Sequence, residues 1–442
     1  MSGSGRPGTA ASGSGAPTAK QHRARAHGPA QATGPSSTVP GRAPARARAA
    51  VSRTLGPVWR QLRHGELGPG AAILALVLAW IVFQSLDQAF LSSRNLTNLS
   101  VDMTGTGMLA VGVVFVLLMG EIDVSAGAVS GLCAAVFGVL SVYHGVPQWP
   151  AAVAAVLCGA VIGTLQGFIV ARFGVPSFAV TLAGLLGWSS VTYDLLGSRG
   201  TVNLPPDGLV ANLTSRYLPD EAAAYGLAAL AAALFLFASL QHGRRLRAVG
   251  TRSRSPAETG VRTALIAVVG CGAAYVLNRF RGLPLALLIF LAVVAASDYL
   301  LRRTPYGRRV YALGGNPEAA RRAGVNVTVM RVSVFTVSGA MAAVGGLFLA
   351  SQITSVGQLA GSGPLVINAI AAAVIGGTSL FGGRGRAWSA LLGILVVQSI
   401  ASGTALLNVQ SEMQYLIVAV VLVAALITDS LTRRSQRAHG LL

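Results

Sequence analysis

Apolar runs of about the same length recur along this chain from Gly70 almost to its end, parted by short polar stretches. A helix rises about 1.5 Å per residue, so roughly 20 such residues cover a hydrocarbon core. The runs fall at about 70–90, 100–119, 126–142, 150–171, 176–196, 222–241, 263–279, 284–301, 329–350, 364–381, 387–404 and 413–428. The pattern predicts an all-α polytopic membrane protein of about 10–12 transmembrane or re-entrant helices, because several runs are short.

Ahead of the first run the pattern fails. Residues 1–68 are mostly Gly, Ala, Pro, Ser and Arg. Nothing there offsets the entropy of ordering, so a disordered basic tail is expected, with a membrane domain at 69–431 and a short C-terminal tail at 432–442. The tail has no apolar core near its start and so does not read as a secretory signal. QHRARAH and GRAPARARAA are basic but lack interleaved aromatics, which favours a loose hold on anionic lipid over nucleic acid.

Composition agrees with the pattern: 53% of the 442 residues are hydrophobic and 11% charged. The formal charge of +20 is unevenly placed, with ten Lys or Arg and no acid in residues 1–65. If the tail is inside, alternate crossings put Arg172, Arg244 to Arg262, Arg302 to Arg322, Arg384, Arg386, Arg433, Arg434 and Arg437 on the cytoplasmic side, and both termini there too. Lys20 is the only lysine, so no G-x-x-x-x-G-K-[ST] loop exists to hold a nucleotide. Cys133, Cys158 and Cys271 lie in apolar runs without metal-ligand spacing. No H-E-x-x-H motif is present, and no catalytic or metal-binding residue is expected.

Two glycine-rich stretches interrupt the runs. MGEIDVSAGAVSG, Met119 to Gly131, holds Glu121 and Asp123 between apolar segments, where a lipid-facing charge would cost several kcal/mol. A broken helix lining a cavity is the implication. The two acids and Ser125 admit two roles, contact with a passing solute or gate, and capping of the next helix. IGGTSLFGGRGRAW, Ile375 to Trp388, repeats the pattern in the second half, with Gly376 and Gly383 matching Gly120 and Gly127. Paired glycine-interrupted segments suggest two pseudo-repeated halves around a permeation path. Asn368, Thr378 and Ser379 join that path or serve as interhelical hydrogen-bonding groups.

Charge gathers in RRTPYGRRVYALGGNPEAARRAGVN, Arg302 to Asn326, which holds six arginines and one acid, Glu318. Asn316 is placed to cap a helix starting at Pro317, and Gly324 to end it left-handed. Glu318 and Arg322 are spaced to pair, for about 0.3–0.5 kcal/mol. So short a helix needs a surface to rest on, and Ala319, Ala320 and Ala323 offer a face of small residues.

Glu318-Ala319-Ala320 followed by Gly324 resembles the E-A-A-x-x-x-G signature of the cytoplasmic coupling loop in ABC importer permeases. GEIDVSAG is similar to the G-G-I-D-L-S-V-G signature of the ribose and xylose type, and VIGGTSLFGGRG to its V-I-G-G-T-S-L-x-G-G-x-G. FGVPSFAVTLAG (Phe173–Gly184) and TPYGRRVYALGGNPEAARRAGVNV match as well. Glu121, where ribose-type members have glycine, and the inserted Ser255–Pro284 segment are most like the D-xylose permeases. Ala126 and the tail depart from the pattern. The resemblance implies a bacterial inner-membrane permease subunit, pairing as a homodimer and passing a monosaccharide inward. Its loop at 302–328 would couple to a separate cytoplasmic ATPase, which uses the ATP and Mg while this chain binds no cofactor. An extracytoplasmic sugar-binding protein would deliver the solute. A secondary transporter with internal repeats, or an ABC permease for a nucleoside or branched-chain amino acid, explains the composition as well.

Overall fold

The computed structural model describes residues 68–248 and 256–438. The expected basic tail lies outside the described residues. Each of the twelve apolar runs carries a helix: α1 (Gly68–Leu86), α2 (Ser93–Leu118), α3 (Ala126–Gly138), α4 (Gln148–Phe173) and α5 (Ser177–Leu196). A short α6 (Asn212–Ser215) precedes α7 (Glu221–Ala248), α8 (Pro256–Asn278) and α9 (Leu285–Arg303). The charged stretch folds as α10 (Pro305–Gly315) and α11 (Pro317–Arg322), followed by α12 (Val327–Ile353), α13 (Leu365–Ile375), α14 (Ala387–Leu406) and α15 (Ser411–Ala438). Among the described residues nine helices are long and apolar enough to cross a membrane, α3 once its continuation to Tyr143 is included, while α13 and the apolar part of α1, Gly70–Leu86, are shorter. α15 runs on to Ala438, past the boundary expected at 431.

α2 is the central helix, and α12, α14, α13, α9 and α8 surround it. α4 and α12 form the most extensive pair. Gly159, Gly163 and Gly167 line one face of α4, where a Cβ would run into the backbone of Gly339, Phe335 and Val332 on α12. Small residues at this spacing let two backbones close in, which is how helices gain packing in a solvent as apolar as their own side chains. The Thr164 and Thr336 hydroxyls, 2.7 Å apart, bridge the same seam. α7 and α8 pack mainly on each other, so the described part of the inserted segment, from Pro256, forms one half of that pair.

One end of the bundle is tied by two small antiparallel sheets. β1 (Thr201–Asn203) pairs with β4 (Ser355–Gly357), with Val202 opposite Val356, and β2 (Tyr217–Leu218) pairs with β3 (Leu283–Pro284). After β4 the chain turns inward along α3. The Ala360 and Gly361 carbonyls lie against Gly131 and Gly127, which have no Cβ to keep them away. The run expected at 364–381 is therefore split. Residues 358–364 are irregular, α13 has eleven residues, and Gly377 at φ +103° breaks the helix before Thr378.

Candidate functional site

At the opposite end, α2 finishes in the loop Met119–Ser125. Gly120 takes φ +77°, and the Gly120 and Glu121 amides close the helix by donating to the Leu117 and Val116 carbonyls. The loop then lies against α5, where Ser177 Oγ accepts from the Ile122 amide at 3.1 Å and Thr181 Oγ1 from the Val124 amide at 3.3 Å. Asp123 is 4% exposed. Its Oδ1 accepts from the Ser125 amide (3.0 Å) and hydroxyl (2.7 Å), and its Oδ2 accepts from the Ser338 hydroxyl on α12 (2.9 Å). Ser125, just ahead of α3, has helical φ and ψ and its side chain makes no cap bond, while the Asp123 carboxylate takes the Ser125 amide at the start of the helix. Glu121 pairs with Arg331 of α12 at 2.8 Å. A carboxylate there is tolerated because a cation stands beside it.

Gln166 of α4 completes the cluster, with Oε1 3.0 Å from Ser125 Oγ. In that orientation the buried Gln166 Nε2 and Trp188 Nε1 of α5 both lack an acceptor. Both nitrogens crowd the same face of Gly184. Ser125 has one hydroxyl proton and gives it to Asp123, so exchanging the amide atoms satisfies more groups. Nε2 then donates to Ser125 Oγ, and Oε1 faces the side on which the indole N–H lies. The Asp123 carboxylate thus ties the loop to α12 directly and to α4 through the Ser125 hydroxyl, while Ser177 and Thr181 fix the loop to α5.

The second glycine stretch meets the first directly. Gly382, Gly383 and Gly385 all have positive φ, and the Gly383 amide donates to the Leu118 carbonyl at 2.8 Å. A Cβ on Gly120 would stand 3.2 Å from the Phe381 carbonyl oxygen. Thr378 and Ser379 are each 2% exposed, and Ser379 Oγ donates to Asp429 Oδ2 of α15 at 2.9 Å. Asn368 sits half-buried on α13.

α10 and α11 rest on this junction. Thr304 Oγ1 accepts from the Gly307 amide to cap α10, and Asn316 Oδ1 accepts from the Ala319 amide at 3.0 Å to cap α11. Gly324, at φ +83°, ends α11 left-handed. Ala320 points into the chain's own core at 5% exposure, while Glu318, Ala319, Arg322 and Ala323 are exposed. The small-residue face is thus divided, one residue anchoring the helix and the others left outward. Glu318 and Arg322 form no ion pair, contrary to their spacing. Tyr311 donates to the Gly385 carbonyl at 2.9 Å. Burial, then the nearby Asp298 carboxylate, push its phenol up, so it keeps the proton it donates. Asn316→Ala is expected to weaken α11 by about 1 kcal/mol, seen as faster hydrogen exchange of its amides with the rest of the chain unchanged.

Spacing along the chain pointed to Glu121, Asp123 and Ser125, but not to Arg331, Ser338, Gln166, Ser177 or Thr181. Arg331 carried a signal, as an arginine inside the run that became α12. Ser177 and Thr181 lie in the matching stretch Phe173–Gly184, whereas Ser338 and Gln166 carried no signal. Among the described residues no group of His, Cys, Asp and Glu could hold a metal ion.

The family model described as branched-chain amino acid transport system / permease component matches residues 95–274 and 267–426. The xylose transport system permease protein XylH of Escherichia coli K12 is 37% identical over 368 residues, 82% of this chain and 91% of the relative. Its counterpart in Haemophilus influenzae is 33% identical, covering 82% and 95%. The ribose import permease protein RbsC of Haemophilus influenzae is 30% identical, covering 81% and 92%. No solved structure matches significantly. The chain is a multi-pass membrane permease subunit and belongs to this family of ABC importer permeases, together with those of xylose and ribose transport.

Proposed function

We propose that this chain forms the membrane path of an ATP-driven monosaccharide importer, with D-xylose or a related pentose as the solute. A separate cytoplasmic ATPase engages α11, hydrolyses ATP with Mg, and moves the helix. An extracytoplasmic sugar-binding protein delivers the sugar on the side of the two small sheets, and two copies of the chain pair around the path. Both termini face the cytoplasm. The observation that carries the reading is that α11, with its outward Glu318, Ala319 and Ala323, follows directly on α10, whose end packs against both glycine stretches. A push on α11 is thereby a push on the point where the two halves meet.

On this reading Asp123, Ser125, Thr378 and Ser379 form a closed inner gate, since their burial leaves no room for a solute beside them. Glu318→Lys reverses the one acidic charge on the docking face and is expected to abolish ATP-driven D-xylose uptake in vesicles while insertion stays normal. Undiminished uptake in that variant removes the coupling role. Accumulation by the chain alone under a proton or sodium gradient would favour the secondary transporter.

A further inference from the structure

Between Thr97 and Leu118 every residue of α2 is buried except three, Asn98, Asp102 and Thr106. All three are polar, and they are spaced four apart, so they form one stripe along one face of the helix. Asn98 and Asp102 are exposed and Thr106 half-exposed. The next position on the stripe, Ala110, is completely buried. From the sheet-bearing end of the bundle the stripe therefore reaches about 20 Å down, halfway along α2, and stops. A carboxylate facing lipid at the bilayer centre costs about 2.5–3.5 kcal/mol on insertion scales, so Asp102 looks into water or a polar solute. Gln352 of α12 borders the stripe and donates through Nε2 to the Val101 and Asp102 carbonyls, at 3.2 and 3.4 Å.

We infer that Asn98, Asp102 and Thr106 line a water-filled vestibule that receives the solute, closed below Thr106 by the fully packed half of α2. The inference rests on the transport reading above and names a subsite within it. The stripe suits a neutral polyhydroxylated solute. Every sugar hydroxyl both donates and accepts; a carboxylate accepts from two of them, and the carboxamide and hydroxyl do both. Arg94 is exposed one turn above Asn98 on the same face, so the stripe carries a cation only at its outer end.

The test uses the full chain in right-side-out membrane vesicles, with Cys133, Cys158 and Cys271 replaced by alanine and each variant's insertion checked by gel filtration. A charged, membrane-impermeant thiol reagent added on the sheet-bearing side is expected to modify Asn98→Cys, Asp102→Cys and Thr106→Cys, and to leave Ala110→Cys untouched. Resistance at positions 102 and 106 overturns the vestibule, as does equal reaction at 110. With the ATPase and binding protein present, Asp102→Leu should lower D-xylose uptake about tenfold, with Asp102→Asn less affected and ATP hydrolysis retained. Unchanged uptake in Asp102→Leu also overturns it. The labelling needs no ATPase, so it can succeed even if Glu318→Lys transports normally, and it can fail while that variant is inactive.

Discussion

Gly314→Ala should disable the protein, whereas Gly315→Ala beside it should be nearly silent. A Cβ at Gly314 would overlap the Leu118 carbonyl oxygen and stand 2.6 Å from the Gly383 amide nitrogen, while one at Gly315 meets nothing within 4 Å. Those two atoms are hydrogen-bonded to each other at 2.8 Å, so the methyl would drive apart the bond that joins the two glycine stretches. Backbone on both sides cannot yield by rotamer change. The expected loss is about 3 kcal/mol, at the upper end for overpacking, together with the loss of ATP-driven uptake. The thermal midpoint in detergent and the uptake rate of each variant check the contrast. Equal behaviour of the two variants would mean that the junction is not closely packed.

Arg331→Met should be at least as damaging, for an electrostatic reason. It leaves the Glu121 carboxylate, whose side chain is 13% exposed, without the guanidinium 2.8 Å away. Removing one partner of a poorly solvated ion pair costs about 3–5 kcal/mol, most of it the desolvation of the charge left behind. Adding Glu121→Gln removes that charge, so the double variant should recover most of the thermal stability lost by Arg331→Met. A recovery under about 1 kcal/mol would show that the carboxylate is solvated and the pair weak. In the double variant uptake should remain impaired, because the charged tie from α12 to the loop 119–125 is gone and only the Ser338–Asp123 bond is left.

The sequence was informative wherever the physics is local. Twelve apolar runs became helices because hydrophobic length alone decides residence in a bilayer. Asn316, Pro317 and Gly324 set the ends of α11 as their spacing predicts, since a cap involves residues within one turn. Long-range geometry was not legible. Glu121 finds Arg331, and Asp123 finds Ser338, across more than two hundred residues. The splitting of the 364–381 run depends on Gly127 and Gly131 admitting a carbonyl from another segment.

The sequence by itself thus determined that the apolar runs are helical and that they belong in a membrane. Only the tertiary structure decided which side chains face one another. Polar residues in the spans are few and do not by their spacing alone announce which face is inward. α2 illustrates the difference. Thr97, Ser100 and Thr104 are as polar by pattern as Asn98, Asp102 and Thr106, yet the first three are buried. Each returns its hydroxyl proton to a carbonyl of its own helix, at 2.6 to 2.7 Å, and can be covered at little cost. Asn98, Asp102 and Thr106 stay open because they lie on the one face of α2 that the packing leaves uncovered.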